Sequence, residues 1–124
     1  MVADAKFAAM DNSQEFIANE KDLLFYAGKP IINKQHVFND ECGNPYSLSA
    51  GLAFTFKIWQ EREGGLQVIN WSSPENLTAS DNILILNAPA ADTTIYRGKY
   101  YYEIAEIIAG GYEILLTYGE ADFI

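Results

Sequence analysis

The chain has 124 residues, 17 acids against 8 bases for a formal net charge of −9, one histidine and one cysteine. This length fits one domain that buries about two-thirds of its unfolded surface, and 49% apolar with 20% charged residues excludes a disordered chain. The acidic balance opposes broad contact with a nucleic-acid backbone, while a lone Cys and a lone His exclude disulfides and a structural zinc site of nitrogen and sulfur ligands.

Taken in chain order, residues 1–12 are expected to be a flexible arm, either loose or a short helix, ahead of a single domain over 13–124. The run Phe7-Ala8-Ala9-Met10 is too short for a signal-peptide core, and no apolar stretch reaches the ~18 residues of a membrane span. A chain made in a cytoplasm, away from membranes, is therefore expected. Gln14–Ala18 reads as an edge strand, followed by strands at Asp22–Tyr26 and Gln35–Phe38 that Gly28-Lys29-Pro30 keeps apart, because Pro offers no ladder donor.

Ala53–Trp59 alternates: Phe54, Phe56 and Ile58 lie on one face, Thr55 and Lys57 on the other, the pattern of a half-buried strand. Leu66–Trp71 follows a Gly64-Gly65 turn as its hairpin partner. Asn82–Leu86 is apolar on both faces and predicts an inner strand. Lys99–Ile108 and Tyr112–Tyr118 flank Gly110-Gly111. Setting Ile108 opposite Tyr112 gathers Tyr102, Ile104, Ile108, Ile114, Leu116 and Tyr118 on one face. Glu106 falls on that apolar face and is expected at the sheet end, in reach of water. Seven to eight short strands with turn signals about every eight to twelve residues predict an all-β fold, a sandwich or a barrel of antiparallel strands. Asp92–Tyr102 favours the immunoglobulin-like β-sandwich. Tyr100 stands where a tyrosine corner turns its hydroxyl back to the preceding loop, and Tyr102 stands at an inward position two residues on.

Chemistry finds little purchase. His36 and Cys42 are six residues apart, but Cys42 lies within the turn sequence Asp40–Pro45, so no catalytic pair is assigned. A glycosidase needs two carboxylates about 5 to 9 Å apart in a cleft. The candidates Glu61 and Glu63, Glu103, Glu106 and Glu113, or Glu120 and Asp122 instead read as a solvated exterior. Asp40, Glu41 and Asn44 lack the calcium-loop ligand pattern, and the paired glycines are hairpin glycines, not a phosphate cradle. No catalytic residue, metal or cofactor is expected, and an enzyme is not expected. Aromatics are the richer signal at 14%. Alternation turns Trp59 outward, and Trp71, ending its strand before Ser72-Ser73-Pro74, is also read as outward. Trp59, Trp71 and Tyr96 are the expected interface, as protein anchors or as platforms for sugar rings.

Three stretches resemble the immunoglobulin-like domain at the N-terminus of phage baseplate upper proteins and related phage tail and fibre domains. They are Val37–Ser49 with its acidic-Gly-x-Pro turn, Phe54–Trp59, and Gly98–Ile104 with the closing Leu115–Phe123. The resemblance spans about residues 22–124 and implies a structural role with no catalytic residues. With no fibre or receptor-binding head after Phe123, it implies a tail or baseplate, adaptor or decoration subunit of a virion, assembled in the host cytoplasm. Its expected partners are other phage structural proteins or further copies of itself. The alternative is a carbohydrate-binding module that uses exposed Trp and Tyr side chains.

Overall fold

Alternation over Ala53–Trp59 seeds the core. In a computed structural model that describes residues 19–48 and 53–124, Phe54, Phe56 and Ile58 are all buried and Thr55, Lys57 and Trp59 lie on the opposite face. The strands among the described residues are β1 (Asn19–Glu20), β2 (Leu23–Phe25), β3 (Ile31–Val37), β4 (Ala53–Trp59) and β5 (Gln67–Ser72). After them come β6 (Leu77–Ser80), β7 (Ile83–Ala88), β8 (Gly98–Ile107) and β9 (Glu113–Phe123), with a 3-10 turn at Ala90–Asp92 between β7 and β8. The expected arm at 1–12 and edge strand at 14–18 lie outside the described residues.

The larger sheet runs β5-β4-β8-β9, with β1 and β2 both added to the free side of β9; the smaller runs β3-β7-β6. Asn19 pairs with Thr117 and Leu23 with Ala121, one constant offset, so β1 and β2 are two pieces of a single strand parallel to β9. The other pairings are antiparallel. This order places the third, sixth and seventh strands in one layer and the fourth, fifth, eighth and ninth in the other. That is the variable-type immunoglobulin arrangement, whose two layers are strands B, E, D and strands C′, C, F, G. The protein is an all-β, immunoglobulin-like sandwich.

The two layers meet through Phe56, Trp71, Tyr102, Ile104 and Phe123 from the larger sheet and Leu77, Leu84 and Leu86 from the smaller, all nearly inaccessible to solvent. Phe56 packs edge-on against Trp71 at 5.3 Å and lies 5.3 Å from Tyr102, centroid to centroid. Each large apolar side chain so buried contributes about 1.5–3 kcal/mol relative to exposure. β7 is the central strand of its sheet, as its two-sided apolar pattern predicted.

The β8–β9 hairpin starts in the expected register. The Ile108 amide donates to the Tyr112 carbonyl at 2.9 Å, and Gly110 and Gly111 supply the left-handed backbone the turn needs, with φ of +90° and +82°. Between Ile104 and Ala105 the register then slips by one, because Ile104 faces Thr117 while Ala105 faces Leu115. Leu116 is the extra residue of this bulge, and both Leu116 and Thr117 are buried. Past the bulge Gly119, Ala121 and Phe123 point inward. Tyr118, expected inward, is turned to the outer face.

Candidate functional site

The outer face of the larger sheet carries a polar-aromatic cluster. Trp59 sits at the end of β4 opposite Tyr101 of β8, and Glu103 of β8 lies opposite Tyr118 of β9. These are cross-strand neighbours on one face, so their side chains stand side by side. Arg62, in the loop after β4, lays its guanidinium 5.0 Å from the Tyr101 ring centroid and 6.0 Å from that of Tyr118. The same group bridges Glu20 at 3.4 Å, which ties the cluster to β1. Trp59, Arg62, Tyr101 and Tyr118 line one shallow depression beside Gly119. At its margins Lys99 meets Glu120 at 3.4 Å and Lys57 meets Glu113 at 3.9 Å. A face of Trp, Tyr and Arg rimmed by ion pairs has the composition of a protein-docking surface.

Trp59 is thus on the outer face, as alternation predicted. Trp71 is not, and that expectation is corrected. Phe56 pairs with Trp71 across β4 and β5, so both rings share the inner face, and Trp71 is only 2% exposed. Its indole N–H donates to the Asp92 carboxylate at 2.8 Å, pinning the 3-10 turn onto β5. The hairpin offered no two-residue turn from which to count register: Gln60 bonds Leu66 across a seven-residue connection, and a bulge follows Ile58. Tyr96 is half-buried, its hydroxyl donating to the Val68 carbonyl at 3.1 Å and its ring packed on Tyr100 and Phe123. It shares an open hollow with Trp71, Asp92 and Asn70, away from Trp59. The proposed corner residue, Tyr100, is packed edge-on against Tyr96 and Phe123, and the hydroxyls that reach backbone carbonyls are those of Tyr96 and Tyr102. Tyr102 is inward as expected, and its hydroxyl donates to the Lys21 carbonyl. Arg62, Tyr101 and Tyr118 were not singled out from sequence. Tyr101 and Lys57 were readable as outward from the alternation; Tyr118 required knowledge of the bulge.

The titratable candidates are dispersed. Cys42 is exposed on a turn in which the Asp40 carboxylate accepts from the amides of Cys42 and Asn44, both at 2.9 Å. His36 is instead buried between the sheets, edge-on to Phe56, and burial with nearby Lys34 and Lys21 lowers its pKa to about 4. Glu103 and Glu113 face solvent, whereas Glu106 is 1% exposed. Its carboxylate does not reach water as expected but accepts from the Tyr46 hydroxyl at 3.3 Å. Burial raises the Glu106 pKa, the Tyr46 hydrogen bond opposing; Tyr46 itself is pushed up to about 12 by burial and by Glu106. Among the described residues no group of three His, Cys, Asp or Glu side chains is placed to hold a metal ion. No helix among them is long and apolar enough to cross a membrane.

No protein-family model matches the chain, and no curated protein matches it. Among solved structures the chain is similar to the V domain of amphioxus IgVJ-C2. The two share 19% sequence identity at a TM-score of 0.27, over 82% of this chain and 99% of that one. A likeness at that score carries no argument, and the immunoglobulin-like description rests on the strand order of the two sheets.

Proposed function

We propose that the chain is a non-enzymatic docking module and that it serves as a structural subunit of a phage virion. The subunit belongs to the tail or baseplate, or acts as an adaptor or decoration protein, and is assembled in the host cytoplasm. It works by contact with other phage structural proteins or with copies of itself. The observation that supports docking is the outer face where Trp59, Tyr101 and Tyr118 surround the Arg62 guanidinium. The virion assignment is supported by the resemblance of Val37–Ser49, Phe54–Trp59, Gly98–Ile104 and Leu115–Phe123 to phage tail and baseplate domains.

Light scattering of the purified chain with the structural proteins encoded beside it tests the reading. A defined complex is expected, weakened about 30-fold by Trp59→Ala, as for a central anchor worth about 2 kcal/mol. A monomer that binds none of them overturns it. A carbohydrate-binding module remains the alternative, with Trp59 as the ring it would use now that Trp71 is covered. Glycan-array hits lost on Trp59→Ala, with no protein partner found, would favour that alternative.

A further inference from the structure

A second surface lies on the side where β2 and β3, the neighbouring edges of the two sheets, come together. No described strand pairs with the outer edge of β3. The Phe38 amide bonds the Asn82 carbonyl, so alternation makes His36–Leu84 and Lys34–Leu86 the bonded pairs. The amides and carbonyls of Gln35 and Val37 are left pointing at the open edge. Five of the nine large apolar side chains exposed among the described residues lie along this side: Leu24, Tyr26, Ile32, Val37 and Ile124. A groove of about 280 Å³ runs between the two edges, lined in part by Leu24, Tyr26, Ile32, Lys29 and Lys34.

Charge identifies the occupant. In a chain of net charge −9, Lys57, Arg62 and Lys99 are paired with carboxylates, and Arg97 caps the carbonyls of Thr94 and Tyr96. Apart from Arg97, the described cations without a carboxylate partner among the described residues are Lys21, Lys29 and Lys34, all on this side. Lys34 is held 5.4 Å above the Phe25 ring. We propose that this edge takes up an extended, acidic segment of a partner protein, which adds as a strand to β3. Side chains of an added strand alternate between faces, so its carboxylates enter the groove to meet Lys29 and Lys34 and its apolar side chains lie on the other face, beside Val37. The inference deepens the docking reading, on which it rests, by giving the partner a chemistry.

The test is an NMR titration of the full chain with two ten-residue peptides, one alternating Val with Glu and one alternating Val with Lys. Binding of the Glu peptide is expected, with amide shifts concentrated over Ile32–Val37. Lys29→Gln with Lys34→Gln weakens it about tenfold, and added salt weakens it further. Equal affinity for both peptides, or none for either, overturns the proposal. Shifts centred on Trp59, Tyr101 and Tyr118 also overturn it while leaving the docking reading intact. Slow exchange of the Gln35 and Val37 amides in the free chain shows that residues 1–18 or a second copy already fill the edge, and refutes it as well.

Discussion

At the residue scale, Trp71 shows how one contact converts an apparent surface anchor into a structural pin. The indole is a donor without acceptor capacity, and at 2% exposure its N–H has to find a partner inside the protein. Asp92 provides it at 2.8 Å from the end of the 3-10 turn, so one hydrogen bond links β5 to the connection between β7 and β8. Beside it Thr93, fully buried, accepts from the Gly28 amide at 3.1 Å, which fastens the β2–β3 turn to the same connection. Asp92→Ala is therefore expected to destabilise the fold by about 1–3 kcal/mol in urea unfolding, because it strands a buried donor. Added to Trp71→Phe, which removes that donor, the same Asp92 substitution should cost less than it does alone. Strict additivity of the two would show that the hydrogen bond carries no coupling energy.

At the scale of elements, the strands that announce themselves by period are the ones the sequence makes legible. β4 alternates over seven residues and β7 is apolar on both faces, so both were readable as a half-buried and an inner strand. β6 was not readable, since Leu77 is its one buried residue and Thr78, Ala79 and Ser80 are exposed. The outer-face cluster was legible at Trp59 and, by alternation, at Lys57 and Tyr101. Arg62 comes from a loop, and the bulge at Leu116 rotates Tyr118 onto the face by a register slip that no local turn signal encodes. Least legible is the parallel strand on β9, which joins residues 98 apart in sequence. Its requirement is nevertheless written at Gly119. A Cβ there would abut the carbonyl of Lys21, whose carbon would lie 2.9 Å away, at the point where the Asp22 carboxylate replaces a ladder bond to Glu120. Gly119→Ala should push β1 and β2 off β9 at a cost of about 1–3 kcal/mol. Hydrogen exchange reads it as faster loss of the Lys21 and Glu120 amides, while amides of the β4–β8 ladder stay protected. Unchanged exchange at Lys21 would mean the strand tolerates the extra carbon.

At the scale of the whole molecule, two buried titratable groups set opposing pH limits on the same core. His36 ionises near pH 6.5 when unfolded and near 4 when folded, so the unfolded chain binds more protons in that window. Its contribution is complete above about pH 6.5 and lost as the pH falls toward 4, a swing of about 3 kcal/mol at about 1.4 kcal/mol per unit. The Nε2 atom, buried without a hydrogen-bond partner, offers nothing to offset the charge. Glu106 acts in the other direction. Its folded pKa is raised, so the native state holds its proton longer, and stability declines as the pH climbs from the ordinary Glu value through the raised one. Urea unfolding across pH 4 to 8 should therefore separate the two by slope. His36→Phe flattens the acid limb between about pH 4 and 6.5, whatever it does to the absolute stability. Glu106→Gln keeps an acceptor for the Tyr46 hydroxyl and removes the buried charge. It should leave stability at pH 4 nearly unchanged and raise it at pH 7. A Glu106→Gln chain that is weakened equally at both pH values would show that the carboxylate is held ionised by something other than Tyr46. An acid limb that survives His36→Phe would place the acid sensitivity on another group.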